Sequence, residues 1–362
     1  MPTSGPLRVG MVGCGKIADG HVEEIRKLAS LATLVGVCDR EPLMAEQLAA
    51  RYGVERRFAS LEDMLAERPD VVHITTPPES HLAIARQALA AGCHLFVEKP
   101  LTPRHEDTIE LLEAVQTSGR QLTVGYTYLF DPPALAARDI VNSGDIGEVV
   151  HTESYFGYDL SGPYGSALLA DPSHWVHRLP GGVIQNNLDH VLYKALEFVE
   201  DDRPRVMATA ITRREARHGD VRDRLRDEMR CIVQGERTSA YGTFSGHARP
   251  RSHVVRLYGT KGTLQVDFVS RTVIRDPESG LPSALGRLFP PFSRARRHFG
   301  AGVGNLIRFA RSDFHFFAGF NALLRAFYQS ILEGGPPPIA YRDMLRVSFV
   351  MDAVLDQIAA ES

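Results

Sequence analysis

Glu98, Lys99 and Pro100 end an apolar run, His94 to Val97, and so set an ammonium beside a carboxylate where a strand would stop. A second apolar run (Val71, Val72, Ile74) leads into Thr75-Thr76-Pro77-Pro78 and Ser80-His81, with a helical pattern from Leu82 to Ala91 between the two. Open α/β sheets hold their ligands at the carboxyl edge of the strands. A lysine at that edge can polarise a reacting hydroxyl as a fixed cation, or move a proton itself where burial lowers its pKa. An isolated Glu-Lys pair is ordinarily a solvated surface contact. The glycine motif upstream weakens that plain reading.

That motif is Gly13-Cys14-Gly15-Lys16-Ile17-Ala18, placed after an apolar strand (Leu7 to Val12) and opening a helix that reads to about Leu31. Gly13 permits the tight turn and Gly15 lets the backbone approach a pyrophosphate. Ala18 stands where the third glycine packs helix on strand. The helix start at Lys16 and Ile17 offers unpaired N–H groups to phosphates. The next strand, Leu34 to Cys38, ends at Asp39, an acid suited to the ribose hydroxyls and repellent to a 2′-phosphate. Arg40 could hold that phosphate or stack on adenine. NAD is expected, with NADP second.

The order Gly13-x-Gly15-x-x-Ala18, Asp39-Arg40, Thr76-Pro77-Pro78-x-x-His81 and Glu98-Lys99-Pro100 resembles the Gfo/Idh/MocA oxidoreductases, named for glucose–fructose oxidoreductase, inositol dehydrogenase and a rhizopine-catabolism protein. The likeness is specific over the first half of the chain and looser beyond. It implies a Rossmann domain followed by an α/β domain whose large, open, mostly antiparallel sheet covers the nicotinamide. It also implies hydride transfer at a secondary alcohol or ketone of a sugar, nucleotide sugar or cyclitol. Carried over residue by residue, it places Thr76, Pro77, His81 and Glu98 with the cofactor, together with the glycine loop, Asp39, Arg40 and Lys99.

In the resembled family a glycine-rich turn leads to a helix bearing Asp and, four residues later, His. Here Leu179-Pro180-Gly181-Gly182 runs into Val183-Ile184-Gln185-Asn186-Asn187-Leu188-Asp189-His190. His190 takes the histidine position, and the aspartate position holds Asn186, which can orient a hydroxyl but cannot take its proton. Residues 186 and 190 share a helix face with Tyr193 or Lys194 one turn on; Asp189 is about 100° away. Gln185 and Asn187 read as polar residues satisfying buried backbone. Tyr128 replaces a residue type the family often has where substrate and cofactor meet, and could stack on a sugar or belong to the core. Trp175 carries the same two readings. His174 and His177 lack further ligands at sensible spacing, so no metal is expected.

The elements that must position these groups follow from the pattern. A chain of 362 residues suits two domains. Strand-like runs alternate with helical patterns up to Gly125, the mark of a parallel sheet with crossover helices. After that come a helix at Pro133–Asn142, a strand at Gly147–Tyr158 and a helix near Gly182–Val199. Strands follow at Arg205–Thr212, Met229–Gln234, Ser239–Phe244, His253–Tyr258 and Thr263–Phe268, the last two joined by a hairpin turn at Gly259-Thr260-Lys261-Gly262. The expected division is an NAD-binding domain at 1–125 and a substrate-binding and oligomerisation domain at 126–362. Hydrophobic and charged fractions of 44% and 23% are those of an ordinary soluble globular chain. A net charge of −3 gives no general attraction to nucleic acid. Four scattered cysteines and the lack of a signal-like start or a bilayer-length apolar run fit a cytoplasmic protein. A homodimer or homotetramer is expected.

One segment lies outside the resemblance, an insertion at about 278–312. From Leu281 to Ser312 there is no acid, while Arg287, Arg294, Arg296, Arg297, Arg308 and Arg311 alternate with Phe289, Phe292, Phe299 and Phe309. An oligomer-contact arm or lid is the plain reading; a site for a nucleotide-sugar diphosphate or a lipid phosphate at a membrane surface is the sharper one. Three functions compete for the whole chain: the sugar oxidoreductase, a redox-neutral epimerase that retains its NAD, and a cofactor-binding protein without turnover. Lys99 and His190 argue for catalysis, and Asn186 argues against it.

Overall fold

A computed structural model describes residues 5–162, 165–166, 168, 171–213, 226–278, 282–312, 314–315 and 317–361. Its contacts divide the chain into two compact units, Met1–Thr127 with Gly319–Ser348 and Tyr128–Ala318 with Phe349–Ser362. The sequence reading kept residues 319–348 with the second domain. In the structure they cluster with the first, because their aromatic side chains belong to its core.

The first unit is a six-stranded parallel sheet in the order β3-β2-β1-β4-β5-β6. Its strands are β1 (Leu7–Val12), β2 (Ala32–Cys38), β3 (Arg57–Phe58), β4 (Val71–Ile74), β5 (His94–Val97) and β6 (Leu122–Val124). The crossovers carry α1 (Lys16–Lys27), α2 (Pro42–Tyr52), α3 (Leu61–Ala66), α4 (His81–Ala90) and α5 (His105–Ser118). Every residue of β4 is buried, as are Leu95, Phe96 and Val97 of β5. A parallel sheet covered on both faces demands such unbroken apolar strands. Met11, Ala18, Val22, Val37 and Leu48 make the core between β1, β2 and the first two helices. The strand order reverses at β1 and β4, and in a sheet of this order the ligand crevice opens at that point.

The second unit is a seven-stranded sheet in the order β13-β12-β11-β7-β10-β9-β8. The strands are β7 (Val149–Asp159), β8 (Arg205–Ile211), β9 (Glu228–Gln234), β10 (Ser239–Ser245), β11 (His247–Gly259), β12 (Gly262–Asp267) and β13 (Thr272–Pro277). Only the β7–β10 pair runs parallel; the other neighbours are antiparallel. The expected turn between β11 and β12 is present, with Gly259 opposite Gly262. Four helices belong to this unit beside the sheet: α6 (Pro132–Asn142), α7 (Gly182–Ala195) and, in the basic insertion, α8 (Ser283–Leu288) and α9 (Pro290–Ala310). The chain ends in α10 (Ala318–Glu333) and α11 (Tyr341–Ala360). Sequence patterning showed neither β13 nor the helices of the insertion. No helix among the described residues is long and apolar enough to cross a membrane.

Candidate active site

Four neighbouring strand ends of the first unit present their loops on one edge. Asp39 follows β2, the glycine loop follows β1, Thr76 follows β4 and Glu98-Lys99 follows β5. Gly13 has φ +99°, and a Cβ there would lie 2.7 Å from the Thr75 carbonyl carbon and the Thr76 nitrogen. Only glycine lets the β1 turn pass against the β4 turn. Thr75 Oγ1 locks the two by donating to the Gly13 carbonyl at 2.6 Å. Gly15 contrasts with this, since a Cβ there would meet no protein atom within 4 Å. It is also the uncapped start of α1. Open space in front of unpaired N–H groups is what a pyrophosphate needs. Lys16 and Ile17 are exposed at the mouth of this loop, and Ala18 is buried beneath it.

Asp39 braces the glycine loop as well as standing at the ribose position. One carboxylate oxygen accepts from Cys14 N–H at 2.7 Å and the other from Glu41 N–H at 2.9 Å. A carboxylate has lone pairs beyond these two bonds, so ribose hydroxyls can still be accepted. Arg40 extends from the rim, largely solvent-exposed, with its Nε 4.0 Å from Glu41. The four cysteines are buried. Burial pushes the Cys14 and Cys231 thiols up to about 12 and those of Cys38 and Cys93 to about 11, leaving them unreactive.

Sequence reading placed His81 in contact with the cofactor. The structure corrects this. The ring is fully buried, Nδ1 3.0 Å from the Leu101 carbonyl and Nε2 2.8 Å from that of Thr76. Its side chain ties the β4 turn to the loop after Lys99 and can influence a cofactor only through those loops. Thr76 and Pro77 lie at the edge, where Ser80 Oγ donates to the Pro77 carbonyl at 2.8 Å and lies 2.7 Å from Thr76 Oγ1.

Glu98 is the end of a buried hydrogen-bonded chain that sequence reasoning missed. Its carboxylate meets His21 Nε2 at 3.0 Å, His21 Nδ1 meets His73 Nδ1 at 2.8 Å, and His73 Nε2 meets Tyr328 Oη at 2.9 Å. One assignment with neutral rings satisfies all three bonds: Tyr328 donates to His73, His73 to His21, and His21 to Glu98. Burial holds Tyr328 well above the usual phenol range, and burial followed by His21 holds His73 well below the usual imidazole range. Both shifts agree with that assignment. Burial alone would raise the Glu98 carboxyl, but the hydrogen bond from His21 and the nearby Lys99 charge bring it below its ordinary value. Gly125 makes room for it, since a Cβ there would come 3.0 Å from Glu98 Oε1. The second Glu98 oxygen accepts the Lys99 N–H at 3.2 Å. Glu98 is thus a fixed anion directly beside Lys99.

In the second unit α7 carries the other set of polar groups. Gly182 opens it at φ +53°, and a Cβ on Gly181 would come 2.3 Å from Leu355. Gln185 Oε1 accepts the Gly181 N–H and Asn187 Nδ2 donates to the Val183 carbonyl, so both satisfy backbone as expected. Asn186 is buried and His190 half-buried on the same face. His190 Nδ1 lies 3.1 Å from Tyr193 Oη, and its ring meets Tyr128 and Phe156 edge-on at 5.4 and 5.2 Å. Tyr128 therefore belongs to the His190 cluster. Its phenol lies 3.4 Å from Arg251 Nη2 and is raised by burial. Trp175 lies in the short turn Trp175–Arg178, its ring 5.4 Å from His174. His174 Nδ1 accepts the Val176 N–H. Among the described residues no three His, Cys, Asp or Glu side chains converge as a metal site would require.

Two further groups join this cluster: Lys194, which the sequence placed only on the helix face of His190, and His253, which it did not single out. Lys194 Nζ is buried at 5.3, 5.0 and 5.5 Å from the rings of Tyr128, Tyr193 and Phe268, and His253 packs against Tyr128 at 4.3 Å. Neither Lys194 Nζ nor His253 Nε2 has a hydrogen-bond partner among the described residues. Burial holds the lysine well below its usual range; burial, then Lys194, His190 and Arg251, does the same to the imidazole.

Residues 7–126 match the model of an oxidoreductase family with an NAD-binding Rossmann fold, and residues 134–265 match the Gfo/Idh/MocA C-terminal domain. The chain belongs to the Gfo/Idh/MocA family. Similar curated proteins include inositol 2-dehydrogenase of Leifsonia xyli, 38% identical over 152 residues, which are 41% of this chain and 44% of that protein. Inositol 2-dehydrogenase of Rhizobium meliloti is 27% identical over 72% of this chain and 76% of its own length. The chain thus aligns with under half of the length of the first and about three quarters of the second. The WlbA dehydrogenase from Bordetella pertussis, solved with NADH and UDP-GlcNAcA, superposes with a TM-score of 0.78 at 20% identity, covering 99% of this chain and 97% of its own. That structure confirms the two-domain Gfo/Idh/MocA fold.

Proposed function

We propose that this Gfo/Idh/MocA protein is an NAD-dependent oxidoreductase acting on a secondary alcohol or ketone of a sugar, nucleotide sugar or cyclitol. The observation that carries the reading is the row Asp39, Gly13–Gly15, Thr76, Lys99 along adjacent strand ends, with a lysine and its fixed anion at the far end. The names of its relatives, inositol dehydrogenases among them, support the substrate class. Bound NAD supplies a hydride acceptor at nicotinamide C4. The chain's own groups then bind and orient. The α1 start and Gly15 hold the pyrophosphate, while Asp39 accepts the ribose hydroxyls and disfavours NADP. Lys99 polarises the reacting hydroxyl, kept in place by Glu98 and the His21 chain behind it. His190 takes or returns the proton, and Asn186 orients the substrate by donating and accepting hydrogen bonds. Tyr128 and Trp175 supply apolar walls suited to a sugar face.

Absorbance near 340 nm, followed with NAD and a panel of inositols, glycosides and UDP-sugars, tests the reading. Lys99→Ala and His190→Ala should each lower turnover by roughly two orders of magnitude, with cofactor affinity little changed. Near-normal rates in both variants would overturn the assignment. Asn186 favours one second reading, an epimerase that retains NAD through a redox-neutral cycle. Release of NAD or NADH on denaturing the purified protein, with no net absorbance change on turnover, would select it.

A further inference from the structure

Helix α9 is built inside out. On a wheel of about 100° per residue, Phe292, Phe299, Val303, Leu306 and Ala310 fall within an arc of about 60°. In a helix packed on a protein that arc faces the core. Here it faces away. Phe292, Phe299, Leu306 and Phe309 are 68, 76, 67 and 71% exposed, and no residue of the helix is buried. The opposite arc does the docking. Arg294 Nε and Arg297 Nη1 each lie 2.8 Å from the Asp276 carboxylate on β13, and Asn305 Nδ2 donates to the Ser270 carbonyl at 2.6 Å. Polar contacts thus fix the helix on the sheet edge with its phenylalanines outward, and α8 continues the surface with exposed Leu285 and Leu288.

We propose that this outward face docks on the surface of an anionic lipid bilayer. Charge decides the occupant. Arg287, Arg296 and Arg311 are exposed and pair with no carboxylate among the described residues, and residues 282–312 contain no acid. A two-fold contact of this helix with its copy would bring the arginines of both helices into one interface, with no acid from either helix to neutralise them. Lipid phosphates neutralise them directly. The chain as a whole carries −3, so the attraction is local to this patch. An apolar arc rich in Phe and Leu beside arginine is the composition of helices that lie in the plane of a membrane interface.

The test is flotation of the full chain with vesicles of phosphatidylcholine alone and of phosphatidylcholine mixed with phosphatidylglycerol, alongside light scattering without lipid. The chain should float with the mixed vesicles, be released by salt, and bind phosphatidylcholine only weakly. Replacing Phe292, Phe299, Leu306 and Phe309 together by Ser should abolish flotation while circular dichroism and NAD binding persist. Arg287→Gln with Arg296→Gln should lower partitioning about 25-fold, at about fivefold per charge. Failure to float with the mixed vesicles, or binding indifferent to lipid charge and to the arginine variant, overturns the proposal. So does a dimer that the serine variant dissociates while neither form binds vesicles.

Discussion

Lys194 is the sharpest case at the scale of single residues, because a lysine amine rarely sits among aromatic rings without a hydrogen bond. Its folded pKa lies well below the ordinary value, so the unfolded chain binds the proton more readily. The resulting penalty on folding is full below the folded pKa and fades as pH rises towards the ordinary lysine value of about 10.4. Lys194→Met, a similar volume without the amine, should stabilise the protein at neutral pH by about 1–3 kcal/mol. The gain over wild type should shrink as pH rises. Urea unfolding across the pH range reads both effects, and a destabilised Met variant would show that the amine is satisfied in the working protein. Asn186 makes a different prediction. An amide does not titrate near neutrality, so Asn186→Ala should lower kcat/KM without removing an ionisation from its pH profile. Asn186→Asp should shift the His190 ionisation upward, since a carboxylate favours the imidazolium. An Ala variant indistinguishable from wild type would make Asn186 a packing residue of α7.

Elements owe their placement to contacts that local sequence pattern only partly shows. The β1 turn passes so close to the β4 turn that Gly13→Ala must both strain a left-handed backbone position and press a methyl onto Thr75 and Thr76. The expected result is a loss of more than about 1–3 kcal/mol and loss of NAD binding, read by thermal unfolding and by titration. A variant that binds NAD normally would show that the two loops can separate. Glycine spacing after an apolar strand made this turn legible in the sequence. The His21-His73-Tyr328 chain was not legible, since residues 21, 73 and 328 come from α1, β4 and α10 and each looks unremarkable in its own segment. His73 sits in a run that patterns as core strand, and it is core. Its ring nitrogens nonetheless need partners, and tertiary packing supplies them. Tyr328→Phe should cost about 1–3 kcal/mol by leaving His73 Nε2 buried without a donor, with unfolding by urea as the measurement. No change in stability would mean that water or a reoriented ring replaces the phenol.

For the whole molecule, cofactor binding must couple to folding, because the pyrophosphate and ribose sites exist only when β1, β2 and α1 are assembled. NAD at a hundredfold excess over its Kd should stabilise the native state by roughly 2.7 kcal/mol, and NADP at the same concentration by less. Asp39→Ala should narrow that difference by removing the repulsion of the 2′-phosphate. It should also lower stability without cofactor, because the Cys14 and Glu41 N–H groups lose their acceptor. Differential scanning fluorimetry with both cofactors checks this, and equal shifts for NAD and NADP in wild type would overturn the specificity.

The sequence by itself determined the alternation of strands and helices up to Gly125, the larger part of the first unit. Apolar strands buried on both faces write their periodicity plainly, and glycines required by backbone geometry stand at fixed offsets from them. It also determined the order of cofactor candidates, because they lie within a few residues of a strand end or a helix start, and it placed Asn186 and His190 on the helix after the glycine turn. Tertiary structure decided whatever depends on residues distant in the chain. It gave His81 to loop bracing, joined Glu98 to two histidines and a tyrosine, gathered Lys194 and His253 beside Tyr128, and clustered residues 319–348 with the first unit. It also decided which way α9 faces. An amphipathic pattern states that two faces differ, but only the Asp276 and Ser270 contacts establish that the polar one is held and the apolar one is turned outward.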